Sequence, residues 1–399
     1  MNVKEFRAGL QAWLDENNLT PGQDHSLEGH MKQLARVHRA LYDADWMRYG
    51  WPVEVGGLGG PAMLRAIVGE EVVGRGLAEP GPYSMVEVLA PTMIDYAPRE
   101  LAAEMVPRLL SGREQWCQGF SEPGSGSDLA SLSTRATPRG DNWVVNGQKV
   151  WTSFAQYSQR CILLTRTGPG HNGITAFFVD MDTPGITVRP LRTMHGVDEF
   201  CEVYFDDVVI PGDRILGKPG DGWQLAMDLL PYERSTCFWQ RIAYLYARFD
   251  RLIAEADARS KIADSDEPGD SELGSAYLAL HTLRCRSRAT QHRLADGARL
   301  GPETSIDKVL LATAEQKLYD TVRDLLPGAV ELDETQNGAP NFSTRVRRQS
   351  TAAPPRFNAT SSRAGYSTSG RSDRGSCLVG RYGPPCRDAA QDDDRVVGP

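Results

Sequence analysis

The chain runs to 399 residues, 40% hydrophobic and 24% charged, with a net charge of -8. At roughly 150 residues per domain that length predicts two or three globular domains with a sizeable core. No apolar run approaches the roughly 18 to 20 residues of a membrane span, no secretory signal opens the chain, and the scattered basic residues offer nucleic acid no clustered charge, so the expectation is a cytoplasmic protein. Seven cysteines (Cys117, Cys161, Cys201, Cys237, Cys285, Cys377 and Cys386) form no CxxC pair and are odd in number. That argues against a disulfide framework and a zinc site, and they read as reduced and mostly structural, with no metal expected.

Up to about residue 114 apolar residues recur at spacings of three and four. Phe6, Leu10 and Leu14 show this, as do Leu64, Ile67, Val68 and Val72, which follow Pro61, a residue suited to opening a helix. Residues 115–218 instead carry short apolar runs at 143–145, 149–151, 161–165, 174–179, 186–188 and 203–205. These predict a small antiparallel β domain, with Asn146-Gly147 as a two-residue hairpin turn between the first two runs. Helical texture returns from Gly222, with Leu229, Leu230, Ile242, Leu245, Leu252 and Ile253, and continues over 273–300 and 306–326. From about residue 341 Ser, Thr, Gly and Pro crowd in, every basic residue is Arg and periodicity vanishes, which predicts disorder. The fold class is α+β: a helical domain over 1–114, an antiparallel β domain over 115–218, a C-terminal helical bundle over 219–340, and an aberrant tail over 341–399.

Residues 119–131 read G-F-S-E-P-G-S-G-S-D-L-A-S. Gly124 and Gly126 free backbone N–H groups there, and Ser121, Ser125 and Ser127 add hydroxyls. The stretch is similar to the flavin-site signature of acyl-CoA dehydrogenases. Residues 146–153, N-G-Q-K-V-W-T-S, resemble that family's N-G-x-K-x-W-I-[ST] element at the right distance. Gly50-Trp51-Pro52 with Gly56-Gly57 resembles its N-terminal G-W-P-x-x-x-G-G turn and reads as structural rather than phosphate-binding. The resemblance implies FAD as cofactor, an acyl-CoA substrate and an electron-transfer flavoprotein as acceptor. By position it implies that Gln118, Phe120, Ser121, Gly126, Ser127, Trp151, Thr152 and Ser153 line the flavin. Ser121 would lie near the pyrimidine edge, Ser127 would be shared with the pantetheine arm, Trp151 would cover the ring and Ser153 would approach N5. Preorganised donors near a ring that gathers negative charge make it a better hydride acceptor.

Removing an α-hydrogen requires a carboxylate in an apolar pocket, where desolvation strengthens it as a base. Many relatives place a Glu near the C-terminus in a Y-E-G context, which this chain lacks. Others, of the long-chain and isovaleryl types, place it in an E-R pair early in the third domain. Gly222-Trp223 leading to Leu230-Pro231-Tyr232-Glu233-Arg234 resembles that arrangement, making Glu233 the candidate base and Arg234 a packing or coenzyme-binding residue. Pro231 removes one backbone hydrogen bond and is placed to kink the helix there. The family's R-x-x-F-G flavin-pyrophosphate motif is missing around residues 248–261. That leaves open a homo-oligomer or a hetero-oligomer with a related subunit, and, as the alternative to a catalytic subunit, a non-catalytic or decayed partner subunit.

The tail reads as a displaced frame. With residues 355–363 written as CCG AGA TTC AAC GCA ACA TCA TCG CGC, reading one base earlier gives E-I-Q-R-N-I-I-A, which resembles the family's C-terminal segment. Residues 350–355 in that frame permit Y-G-G-T-A, placing Gly where other relatives carry the Y-E-G base. The expectation is a frameshifted C-terminus lacking the last helix and its backbone N–H donor to the thioester carbonyl.

Overall fold

A computed structural model describes residues 2–194, 196–263 and 270–326. The tail at 341–399, with its displaced frame and its two cysteines, lies outside the described residues.

Five helices open the chain: α1 (Val3–Glu16), α2 (Leu27–Asp43), α3 (Met63–Gly74), α4 (Pro80–Tyr96) and α5 (Arg99–Leu110). Asn2 and Glu5 close a capping box on α1, and the Ser26 hydroxyl accepts from the Gly29 N–H on α2. Phe6, Leu10 and Leu14 are buried along α1, and Leu64, Ile67, Val68 and Val72 along α3, as the three-and-four spacing predicts. The 50–59 turn is a backbone knot, with Gly50 N–H donating to Gly59 O and Gly59 N–H to Trp51 O. A Cβ on Gly57 would stand 2.1 Å from Trp51 O, which agrees with the structural reading of that turn.

Eight strands form one sheet: β1 (Trp116–Gly119), β2 (Arg135–Arg139), β3 (Asn142–Ser153), β4 (Arg160–Arg166), β5 (Ile174–Asp180), β6 (Ile186–Leu191), β7 (Phe200–Pro211) and β8 (Ile215–Leu216). The order is β6-β7-β3-β2-β4-β5-β8, with β1 beside β4. Most pairs are antiparallel, as expected, but β1 runs parallel to β4. The forty residues between them hold a long loop and a hairpin, enough chain to bring β4 back in the same direction. Ile162 and Leu164 face the helices while Cys161 and Leu163 face a second core on the other side. Burial on both faces is why this strand reads as a continuous apolar run rather than an alternation.

Asn146-Gly147 is not a turn, which corrects the sequence expectation. The two flanking runs belong to the single strand β3, and the β2–β3 hairpin turns at Gly140-Asp141. Gly147 sits at a register shift with φ +152, where a Cβ would fall 2.6 Å from Thr134 Oγ1. Glycine is needed there for close approach at a bulge, a use that sequence alone does not separate from a turn.

The chain then returns to helices: α6 (Gly222–Glu233), α7 (Thr236–Ala263), α8 (Asp270–Ala295) and α9 (Ser305–Leu325). Pro231 lies in the last turn of α6, which ends at Glu233, and α7 begins three residues later. The proline therefore accompanies a break between helices. No described helix is long and apolar enough to cross a membrane.

Candidate functional site

A cavity of about 390 Å³ opens where α4, the sheet, the α6–α7 break and α9 meet. It gathers Gln118, Phe120, Ser121, Trp151, Ser153 and Glu233, residues from three parts of the chain. Gly126 and Ser127 lie exposed on the 120–131 loop and do not line it; Thr152 is buried within β3, its Oγ1 without a described partner. Arg234 turns toward α9, where Nη1 donates to Ser305 Oγ at 2.6 Å, and burial lowers its guanidinium.

The sheet wall is locked by one buried ion pair. Lys149 Nζ donates to Glu122 Oε1 at 2.7 Å and to Phe120 O at 3.0 Å. The same carboxylate accepts from the N–H groups of Ser133 and Thr134 and from the Ser133 hydroxyl, at 2.6 to 2.9 Å. Burial raises the Glu122 carboxyl, but the Lys149 charge and these donors outweigh it and hold it at about 2. Burial lowers the Lys149 ammonium to about 8 even though Glu122 opposes it. With Val150 N–H donating to Ser121 O, the clamp fixes the 120–131 loop to the strand bearing Trp151.

A register shift between Lys149 and Thr152 turns Trp151 out of the sheet. Its φ is +61, and the indole is 59% exposed beside the cavity, edge-on to Phe200 at 5.8 Å. A strained, uncovered tryptophan next to two hydroxyls and an amide suits a flat heteroaromatic ring. Open space beyond Gly124 and Gly126 lets a ligand approach the loop backbone.

The opposite wall comes from helices. Glu233 closes α6, half-buried, and makes no hydrogen bond to the described residues. It interacts electrostatically with Arg234 and Lys308; burial lowers the Lys308 ammonium, with Glu233 opposing. One and two turns along α7, Cys237 and Arg241 continue the wall, with the Cys237 thiol pushed up by burial. Cys117, Cys161 and Cys201 are likewise free and buried, while Cys285 is exposed. Arg241 pairs with Glu315 of α9 through bonds of 2.8 to 3.2 Å. Sequence reasoning missed both ion pairs. Glu122 and Lys149 stood inside the two motifs already singled out, whereas nothing local links Arg241 to a residue 74 positions away.

Helices, sheet and helices closing on one cavity with an exposed indole on one wall and a carboxylate on the other are the architecture of a flavin-dependent oxidoreductase. The descriptions "Acyl-CoA dehydrogenase, N-terminal domain" and "Acyl-CoA dehydrogenase, middle domain" match residues 2–113 and 117–208. Acyl-CoA dehydrogenase IpdE1 of Mycobacterium tuberculosis is 35% identical over 355 residues, covering 84% of this chain and 90% of that protein. The IpdE1 of Mycolicibacterium smegmatis is 33% identical over 82% of this chain and 86% of its own. Among solved structures, the ChsE4-ChsE5 complex from Mycobacterium tuberculosis superposes with a TM-score of 0.72 at 25% identity, over 92% of this chain and 100% of that one. The chain belongs to the acyl-CoA dehydrogenase family, FAD-binding flavoprotein oxidoreductases of lipid catabolism.

Proposed function

We propose that this protein dehydrogenates an acyl-CoA thioester between the α and β carbons, with Glu233 as the base. The observation that carries the reading is that Glu233 lines the same cavity as Gln118, Ser121, Trp151 and Ser153. Glu233 takes the α-proton on a carboxylate oxygen, and without hydrogen bonds to described residues that oxygen stays available for it. Trp151 covers the ring face, while Gln118, Ser121 and Ser153 present donors and acceptors along the sheet wall. FAD, when bound, supplies the acceptor for the hydrogen that leaves the β carbon as hydride. Gly126 and Ser127 would contact the cofactor and pantetheine from the exposed loop, and Thr152 would support the ring from behind. Arg234 packs the break beside the coenzyme arm. Domain edges near residues 114, 218 and 340, a cytoplasmic setting and an electron-transfer flavoprotein as electron acceptor belong to the same reading.

The test is Glu233→Gln, which keeps shape but cannot accept a proton. Turnover on a panel of acyl-CoA thioesters should fall by about 100-fold or more with flavin content unchanged. Retention of more than about a tenth of the rate would move the base elsewhere.

A specific observation favours placing the chain in a mixed oligomer. The arginine-phenylalanine-glycine motif for flavin pyrophosphate is absent along α7, and Arg248 is spent inside, its guanidinium 5.0 Å from the centre of the Tyr244 ring. A related subunit would then complete the pyrophosphate site, as the two-chain composition of the ChsE4-ChsE5 structure illustrates for that protein. Flavin retention by the chain alone and with co-expressed relatives separates the arrangements.

A further inference from the structure

Glu233 bonds to no described residue, yet its two chain neighbours are both fastened. Arg234 is tied to Ser305 of α9, and the Tyr232 phenol donates to Asp95 Oδ2 of α4 at 2.8 Å. One turn earlier on α6 the exchange runs the other way, with the Tyr96 phenol of α4 donating to Asp228 Oδ2. Adjacent residues of α4 thus reach positions four apart on α6, which share a face, and each helix gives one phenol and one carboxylate. Asp228 is further held by Gln224 Nε2 at 3.0 Å and by the Arg299 guanidinium. Burial raises both phenols, so they stay protonated as donors. The Tyr232 carbonyl is engaged as well. It accepts from Ser235 Oγ at 3.0 Å, and the Cys237 thiol lies 3.7 Å from it and 3.4 Å from Ser84 O of α4. Pro231, which has no N–H, leaves the last turn of α6 one backbone bond short, so side-chain bonds carry more of its fixing. A carboxylate with no bonds of its own keeps its lone pairs for a proton, but only its backbone can aim it.

We propose that Tyr232 is a positioning residue for the base: its bond to Asp95, backed by the reciprocal bond from Tyr96 to Asp228, fixes the last turn of α6 so that Glu233 meets the α-hydrogen with an unencumbered carboxylate. The proposal rests on the reading of Glu233 as the base and deepens it by naming what aims that side chain.

The experiment uses the full chain loaded with flavin and an acyl-CoA thioester that it turns over. It follows flavin reduction in a single turnover beside steady-state KM and the urea midpoint. Tyr232→Phe should slow reduction about tenfold, less than the roughly 100-fold that a misplacement of about 1 Å costs, while KM, flavin content and the urea midpoint hold. Asp95→Leu should do the same, and Asp95→Asn, which still accepts from the phenol, should keep most of the rate. Tyr232→Phe combined with Asp95→Leu should be no slower than either alone, because both remove one bond. Tyr96→Phe should cost less, since Asp228 keeps Gln224 and Arg299. Unchanged reduction in Tyr232→Phe and Asp95→Leu, a lowered urea midpoint at unchanged rate, or Asp95→Asn as slow as Asp95→Leu overturns the positioning role; with Glu233→Gln inactive, the base reading still stands. Full activity of Glu233→Gln overturns both.

Discussion

The two walls of the cavity are built on different principles. The sheet wall takes its polar order from short range: Glu122 gathers Ser133, Thr134 and Lys149, all within 27 residues, and every bond serves to hold one loop against one strand. The helix wall takes its order from long range, with Arg241 meeting Glu315 across 74 residues and Arg234 meeting Ser305 across 71. The sheet wall can be written into two short motifs, whereas the helix wall is assembled only when distant helices pack.

The sharpest way to separate the walls is to damage each at its centre. On the helix side, Glu233→Gln should cost about 100-fold in turnover and leave folding untouched, because the side chain carries no structural bond. On the sheet side, Lys149→Met should reverse that pattern. It strands a buried carboxylate, so stability measured by urea unfolding should fall by about 3 to 5 kcal/mol, and flavin should be lost with it. Should Lys149→Met spare flavin retention, the clamp would be no more than a local staple.

Away from both walls, His38 offers a comparison in pH. It is 1% exposed, edge-on to Tyr83 at 5.0 Å, and neither ring nitrogen has a described partner. Burial alone lowers its pKa from 6.5 to about 4. The unfolded chain takes up this proton below about 6.5 while the folded one refuses it until about 4. The His38 contribution is therefore fully present above pH 6.5 and lost as pH falls through that window, by about 3 kcal/mol. Urea midpoints at pH 7 and pH 4.5 measure it, and His38→Leu should flatten that part of the profile. The smallest effect belongs to Gly147→Ala. A methyl against Thr134 at positive φ should cost about 1 to 2 kcal/mol in thermal unfolding with turnover preserved. A neutral result would mean that the bulge relaxes freely.

The same contrast governs how much could be read in advance. The helical stripes Phe6-Leu10-Leu14 and Leu64-Ile67-Val68-Val72 were legible because burial follows the helix period directly, and the two-sided strand at 161–164 because it is unbroken by polar residues. Asn146-Gly147 misled because the same dipeptide serves tight turns and bulges, and only the neighbouring backbone of Thr134 decides between them. Gln118, Ser121, Trp151 and Ser153 were singled out through motif resemblance, and they line one cavity. The pairing of Arg241 with Glu315 was invisible, because no spacing rule connects the two before α7 and α9 pack together.

Trp151 also makes the protein its own indicator. Of eight tryptophans it alone stands exposed. Its emission should therefore be the component most shifted to the red and the one most open to iodide quenching. A flat ring settling on the indole would remove both signatures at once, so cofactor loading could be followed by light, without a label and without any turnover at all.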